Sequence, residues 1–262
     1  MRIARLDDIS LHWREDGDPS GRAVVFANSL GTDLRLWDQV IPLLPQNLRY
    51  VRFDKRGHGL SDCPPAPYNI GQLADDVVGL LDHLGITESV FVGLSIGGMI
   101  GQMLAARHPE RVRALVLSNT AAKMGEASAW HDRIAAIEAK GIEAVADPIM
   151  ERWFGTAFRT SPNLTAWRNM LTRTPVNGYL GCCHAIAQAD LSNTSAQLML
   201  PVLALAGTED QASPPDLVRT TAEMIAGARF EQIDGVGHLP CVEDPQGFAR
   251  LLTEFLEDLR YV

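Results

Sequence analysis

The sequence GLSIGG occupies residues 93–98, between a run of apolar and β-branched residues and a segment with helical periodicity. A serine at such a strand-to-helix turn is held in a tight bend, so its hydroxyl projects from the end of the sheet. The glycines let the backbone bend and let neighbouring elements approach closely. Gly-x-Ser-x-Gly can arise by chance in a glycine-rich chain, but the strand–turn–helix context favours the functional interpretation. We therefore predict that Ser95 is a nucleophile.

Strand and helix patterns alternate on both sides of this turn. Compact apolar runs, each bounded by turn residues or charges, predict strands at 23–27, 48–53, 89–92, 113–117, 201–206 and 228–233. Helical patterns occupy 70–84, 96–108 and 245–259. Strands that alternate with helices predict an α/β fold with a mostly parallel central sheet flanked by helices.

The alternation stops near Thr120, and no strand pattern returns before about Ser195. This interval instead contains helical segments rich in tryptophan, phenylalanine and methionine. We predict one core domain, formed by residues 1–120 and 196–262, with residues 121–195 inserted as a helical cap. A cap beside a catalytic centre can shape the pocket and exclude water.

A serine nucleophile needs a general base and an acid that orients it. His238 follows the predicted strand 228–233 and lies in a loop, where this kind of fold places catalytic groups. The acid is expected between serine and histidine in the chain, and the sequence GTED at 207–210 offers two candidates. We predict Asp210, with Glu209 as the alternative.

Stabilisation of a tetrahedral intermediate requires two backbone donors. One is expected to be the N–H of Ile96, which follows the nucleophile. The other is expected from the loop NSLGT at 28–32, after the strand 23–27, and we assign it to Leu30.

The sequence DKRGHGLS at 54–61 has glycines like those of a phosphate-binding loop. It has no following Gly-Lys-Ser/Thr, which argues against a nucleotide as its ligand. We interpret its glycines and Arg56 as fixing a loop beside the active site, and His58 as structural.

Composition narrows the possible partners. The chain has 262 residues, 46% of them hydrophobic, and a formal net charge of −9. Nucleic acids and anionic membranes bind cationic faces, so neither is expected as a partner.

The four cysteines have neither the spacing of a disulfide framework nor that of a zinc site, and the N-terminus lacks the apolar segment of a signal peptide. These features predict a cytoplasmic protein without a metal and leave its oligomeric state open.

Taken together, these motifs resemble the α/β-hydrolase superfamily over the whole chain. The strongest resemblance is to 3-oxoadipate enol-lactonases, through FANSLGT at 26–32, RWF at 152–154 and GCCHAI at 181–186. Many superfamily members have His-Gly where this chain has Asn28-Ser29, and the enol-lactonase group shares the Asn-Ser form. The resemblance implies no cofactor, a small lactone as substrate, and a place in aromatic-compound breakdown through the β-ketoadipate route.

The implied lactone carries a carboxylate, which needs a cation in the pocket of an acidic protein. The predicted cap offers Lys123, Arg133, Arg152, Arg159 and Arg168. We predict Arg133, because on a helix it borders the same face as Trp130, and we expect Trp130 and Trp153 to form pocket walls. The competing interpretation is an arginine with its head in water or paired with a cap acid such as Glu138.

Fold and triad do not fix the substrate. Two other functions therefore stay open: a carboxylesterase or carbon–carbon bond hydrolase of the same fold, and a ligand-sensing receptor that retains the triad without fast turnover.

Overall fold

A computed structural model describes residues 1–262 and contains one eight-stranded sheet in the order β1-β2-β4-β3-β5-β6-β7-β8. The strands are β1 (Arg2–Arg5), β2 (Ser10–Gly17), β3 (Ala23–Ala27), β4 (Arg49–Phe53), β5 (Ser89–Leu94), β6 (Val112–Ser118), β7 (Val202–Gly207) and β8 (Arg229–Ile233). β2 pairs antiparallel with β1 and β4, and all other pairs are parallel.

Ten α-helices accompany the sheet. They are α1 (Ile70–His83), α2 (Ile96–Arg107), α3 (Ala127–Lys140), α4 (Glu143–Trp153), α5 (Leu164–Thr172), α6 (Val176–Gln188), α7 (Ser192–Ser195), α8 (Pro215–Met224), α9 (Pro240–Glu243) and α10 (Pro245–Asp258). None of them is long and apolar enough to cross a membrane.

The central strands are apolar along their whole length because helices cover both faces of the sheet. Every residue of β3, β5 and β7 is buried. The predicted mostly parallel sheet flanked by helices is confirmed, and the predicted strand boundaries agree with the observed ones within two residues.

The sequence patterns did not predict the two N-terminal strands. β1 is charged and buries only Ala4, while β2 buries alternate residues at its start, as expected for antiparallel strands with one face toward solvent. Met1–Ser10 alternates charged and apolar residues, and this alternation is the signal that could have revealed a strand.

Helices α3–α7 fill the interval between β6 and β7, which contains no strand. Their apolar side chains, including Ile134, Trp153 and Tyr179, belong to the same continuous core as the central strands. The division into a core at 1–120 and 196–262 and a cap at 121–195 stays a prediction.

Parallel strands place their carboxyl ends at one edge of the sheet, and the loops that follow them meet there. The loops after β3, β5, β7 and β8 carry residues 28–32, Ser95, Asp210 and His238, respectively. This edge therefore gathers the residues that the sequence singled out for chemistry.

Candidate active site

Ser95 occupies the turn between β5 and α2. Its φ is 59°, a left-handed conformation that non-glycine residues rarely adopt and that costs about 1–3 kcal/mol. The N–H of Ser95 donates to the carbonyl oxygen of Ser118 on the neighbouring strand at 2.9 Å, and the residue is 4% exposed. The fold holds the serine in this strained turn at the start of a helix, where developing negative charge is favoured.

Gly97 allows the turn to approach the neighbouring strand. A Cβ atom at this position would collide with the carbonyl oxygen of Ala27, the last residue of β3. A side chain at Gly97 would therefore push α2 and Ser95 away from the end of the sheet.

His238 and Asp210 lie together in the loops after β8 and β7. His238 Nδ1 is 2.9 Å from Asp210 Oδ2, and both side chains are almost completely buried. Ser95 and His238 line the same cavity. This arrangement leaves Nε2 of the imidazole available to a proton from the serine, as a neutral general base requires.

Asp210 is held by four donors in addition to His238. Its Oδ1 accepts the N–H groups of Ala212 and Ser213 at 2.7 and 3.0 Å, and its Oδ2 accepts Asn119 Nδ2 and Ser213 Oγ at 2.9 and 2.7 Å. Burial disfavours the ionised form, but His238 and these hydrogen bonds outweigh it and lower the pKa of Asp210. The carboxylate is therefore held charged and fixed in orientation.

Asn119 and Ser213 were missed by the sequence reasoning. Asn119 directly follows β6 and has a φ of 49°, and its side chain bridges Asp210 and the carbonyl oxygen of Gly237. A polar residue at the carboxyl end of a central strand was the available signal, since asparagine tolerates the left-handed region better than most residues.

Glu209, the alternative acid, points to a different partner. Its Oε2 accepts the N–H and the hydroxyl of Thr156 at 2.6 and 2.9 Å. No hydrogen bond joins it to His238, whereas Asp210 makes one. The geometry therefore favours Asp210 as the orienting acid.

The two predicted oxyanion donors flank Ser95 in space. Leu30 lines the same cavity as Ser95 and His238, and Ile96 is the first residue of α2. Neither N–H donates to another group of the protein. Both N–H groups are therefore without an acceptor in the protein, as the predicted role requires.

Trp130, Arg133 and Trp153 all line the cavity that contains Ser95 and His238. The guanidinium of Arg133 lies 4.6 Å from the centre of the Trp130 ring, as its position on α3 predicts. Arg133 is half-buried and forms no ion pair with Glu138 or any other acid. The structure thus brings all three predicted pocket residues to the nucleophile.

Arg152 lines the same cavity and is a second candidate cation. Burial lowers its pKa, and the positive charge of Arg133 lowers it further, while Asp210 opposes the change. Its guanidinium donates to the carbonyl oxygen of Gln211 at 3.3 Å and forms no ion pair. Two neighbouring guanidinium groups without carboxylate partners therefore face one small space.

The three other candidate cations have different partners. Lys123 pairs with Glu126, and Arg168 pairs with Asp147 and Glu143 on the outside of the helices. Arg159 donates to the hydroxyl of Thr156. None of these three cations lines the cavity.

The cavity itself is small, with a volume of about 40 Å³. Ligand sites are usually about 300–1,000 Å³. The space beside Ser95 is therefore smaller than such a site, and a substrate requires side chains that line it to rearrange.

The loop at 54–61 is firmly anchored. Arg56 makes two hydrogen bonds to Asp76 on α1, at 2.7 and 2.5 Å, and both side chains of this bidentate pair are buried. His58 Nε2 accepts the N–H of Gly31 at 3.0 Å. Both residues fix loops beside the site, in agreement with their interpretation from the sequence.

Glu243 joins the wall of the cavity to the histidine loop. Its two oxygens accept the N–H groups of Gly155 and Gly237 at 2.8 Å each, and Gly237 directly precedes His238. Burial raises the pKa of Glu243 to about 7, against the lowering effect of these hydrogen bonds. In the same region the backbone N–H of His238 donates to the carbonyl oxygen of Trp153 at 2.7 Å.

We expect Glu243→Ala to lower the free energy of unfolding by about 1–3 kcal/mol, because it leaves two backbone donors without their acceptor. Urea denaturation followed by tryptophan fluorescence measures the change. Glu257→Ala on the exposed face of α10 is the matched control. A loss below about 0.5 kcal/mol for Glu243→Ala, the range of ordinary surface changes, would contradict this role.

The fold, the strained serine after β5 and the buried histidine–aspartate pair define an α/β hydrolase. Such a site supports attack on an acyl carbon, with backbone donors placed to receive the oxyanion. No group of three histidine, cysteine, aspartate or glutamate side chains is arranged to hold a metal ion.

Comparison with known proteins gives the same class. Residues 22–245 match the family model described as alpha/beta hydrolase fold, and the chain belongs to this family. It is similar to "3-oxoadipate enol-lactonase 2" of Acinetobacter baylyi, with 37% identity over 92% of this chain and 91% of that protein. It is 31% identical to "3-oxoadipate enol-lactonase 1" of the same organism, over 99% and 98% of the two chains. The protein is a hydrolase that acts on ester bonds.

Solved structures of other hydrolases have the same fold. An enol-lactonase from Burkholderia xenovorans superposes with a TM-score of 0.94 at 37% identity, covering 98% of this chain and all of the other. An esterase from Thermogutta terrifontis gives a TM-score of 0.91 at 26% identity, covering 98% of both chains.

Proposed function

We propose that this enzyme hydrolyses 3-oxoadipate enol-lactone to 3-oxoadipate. The observation that carries the proposal is the pair of guanidinium groups without carboxylate partners, Arg133 and Arg152, in the cavity of Ser95. Two neighbouring cations that lack a carboxylate suit a substrate that brings its own. The names of the two Acinetobacter relatives point to the same substrate.

Ser95 Oγ attacks the ring carbonyl carbon while His238 Nε2 takes its proton. The carbonyl oxygen becomes an oxyanion, and the N–H groups of Leu30 and Ile96 bind it. Collapse of the intermediate breaks the ring carbon–oxygen bond, and the imidazolium protonates the departing enol oxygen. An enolate leaves more readily than a simple alkoxide, and the enol then becomes a ketone.

The acyl group is now an ester of Ser95. His238 removes a proton from water, the resulting hydroxide attacks the acyl carbon, and Ser95 leaves with the proton that the imidazolium returns. Asp210 holds the Nδ1 proton of His238 throughout and stabilises the imidazolium. Each group is thereby restored, and no cofactor takes part.

The carboxymethyl arm of the lactone binds the guanidinium of Arg133. Two parallel hydrogen bonds from a guanidinium fit a carboxylate, and a nearby indole excludes water from the pair. Trp130 and Trp153 provide the apolar walls. We further expect this reaction to serve the breakdown of aromatic compounds through the β-ketoadipate route, in the cytoplasm.

We expect Arg133→Met to reduce kcat/KM for the enol-lactone by roughly 10- to 100-fold, the effect of losing about 1.5–3 kcal/mol of a charged hydrogen bond. Methionine keeps an apolar stem over Trp130 and removes the charge. The uncharged ester p-nitrophenyl acetate should be hydrolysed at nearly the wild-type rate.

Arg250→Met, an exposed change on α10, is the control for a lost arginine. Equal losses on both substrates would assign Arg133 a structural role. No loss on either would move the carboxylate site to Arg152.

The substrate class is tested with a panel containing the enol-lactone, p-nitrophenyl acetate and a vinylogous diketone. The proposal predicts the highest kcat/KM for the enol-lactone. Preference for the simple ester would indicate a carboxylesterase, and preference for the diketone a carbon–carbon bond hydrolase. Tight binding of the lactone without multiple turnover would indicate a receptor.

A further inference from the structure

Lys55 is buried beneath the loop that follows β3. It is 1% exposed, and its ammonium donates to the carbonyl oxygen of Ser29 at 2.6 Å, with Thr32 O at 3.4 Å. It forms no ion pair with any carboxylate. Burying a charged ammonium against carbonyl groups alone is costly, so its position calls for a functional explanation.

The carbonyl of Ser29 and the N–H of Leu30 belong to the same peptide group. That group is planar and trans, since the one cis bond of the chain is Ala66-Pro67. In a trans peptide the C=O and N–H bonds point in opposite directions. The carbonyl of Ser29 also accepts the N–H and the hydroxyl of Thr32, at 3.3 and 3.0 Å, and the ammonium is its shortest and only charged donor. With the carbonyl held toward Lys55, the Leu30 N–H points to the other side, and Leu30 lines the cavity with Ser95.

The next peptide of the loop is fixed in a different way. The N–H of Gly31 donates to His58 Nε2 at 3.0 Å and is not available to a substrate. Gly31 also has a φ of 74°, and a Cβ atom there would lie 2.5 Å from Leu171 Cδ1. Lys55 and His58, two residues of one loop, thus fix two consecutive peptides and leave the Leu30 N–H free.

We propose that Lys55 is a positioning residue of the oxyanion hole: its ammonium orients and polarises the Ser29–Leu30 peptide and so strengthens the Leu30 N–H as a donor. Hydrogen bonds in a chain polarise one another, and a charged partner has the largest effect. The inference rests on the proposed function only through the role of Leu30, and it applies to any ester that Ser95 attacks.

The charge of Lys55 depends on pH. Burial lowers its pKa to about 8, while Cys182, Asp54 and Asp33 oppose the change. Both carboxylates are engaged elsewhere, Asp54 with backbone N–H groups and His12, and Asp33 with Arg35. The neighbouring His58 is buried and its pKa is well below its usual value.

The ammonium is therefore present below about pH 8 and is lost as the pH rises through that value. Polarisation of the Leu30 N–H falls with it, and kcat should fall in parallel. This alkaline decrease identifies an electrostatic role, because a side chain that merely fills space would not produce it.

Lys55→Met tests the inference, with p-nitrophenyl acetate as substrate between pH 6.5 and 9.5. We expect kcat at pH 7 to fall about 10-fold, less than the roughly 10²–10³-fold cost of deleting a donor, since the Leu30 N–H remains. KM should stay within about twofold of wild type, and the alkaline decrease should disappear. Lys140→Met, an exposed change on α3, should retain both the wild-type kcat and its pH profile.

A kcat of Lys55→Met within twofold of wild type would overturn the inference, as would a loss of activity that keeps the wild-type alkaline decrease. If Lys55→Met does not fold, the inference is tested by the pH dependence of kcat in the wild type and in Lys55→Arg, whose side chain keeps its charge to higher pH. The inference is supported if the wild-type kcat decreases near pH 8 and Lys55→Arg shifts this decrease to higher pH. A wild-type kcat that does not change with pH in this range overturns it. If the enzyme does not hydrolyse the enol-lactone, the proposed function fails, but the effect of Lys55 on p-nitrophenyl acetate hydrolysis is still expected.

Discussion

Replacement of Ser95 by alanine is expected to abolish hydrolysis and leave the fold intact. Loss of the nucleophile of a triad typically costs on the order of 10⁶ in turnover. The hydroxyl of Ser95 makes no hydrogen bond within the protein, and its strained φ of 59° is fixed by the surrounding turn. Removing one oxygen atom should therefore hardly change stability.

Steady-state hydrolysis of the enol-lactone and thermal unfolding measure these two effects. Ser128→Ala, an exposed change on α3, is the matched control and should retain full activity. A Ser95→Ala variant with a tenth of the wild-type turnover would remove Ser95 from the mechanism.

Asp210→Asn should reduce turnover by about 10⁴, the cost of holding the imidazole in the wrong tautomer in other triads. An asparagine that keeps the hydrogen bonds from Ala212 and Ser213 through its oxygen presents its amide nitrogen to His238. The Nδ1 proton then has no acceptor, and the proton moves to Nε2, where it blocks removal of the serine proton.

Glu209→Gln is the matched control, because Glu209 is the neighbouring carboxylate and binds only Thr156. A glutamine oxygen can still accept those donors, so activity should stay near wild type. If the two variants ranked in the opposite order, Glu209 would be the orienting acid.

The sequence was most informative where local chemistry and periodicity agree. The turn at 93–98, the central strands and the positions of Asp210 and His238 after β7 and β8 follow from short motifs with a single structural solution. The two N-terminal strands were missed because β1 and β2 are partly exposed and carry charges that obscure the apolar alternation.

Contacts between distant segments were harder to predict. Asn119 and Ser213 hold Asp210 from two different loops, and Glu243 binds Gly155 across 88 residues of sequence separation. Such pairs depend on how the helices after β6 pack on the sheet, which no local pattern specifies. The placement of Arg133 beside Trp130 could be predicted because both residues lie on a single helix, while its role toward a substrate stays a prediction.

Ring opening by Ser95 is tested most directly by trapping the acyl-enzyme. The enzyme is mixed with excess 3-oxoadipate enol-lactone, quenched in acid during turnover and digested for mass spectrometry. We predict a mass increase equal to one lactone molecule on the peptide that contains Ser95, absent from Ser95→Ala. Lactone hydrolysis with the adduct on another residue, or with no adduct at Ser95 at any quench time, would contradict this mechanism.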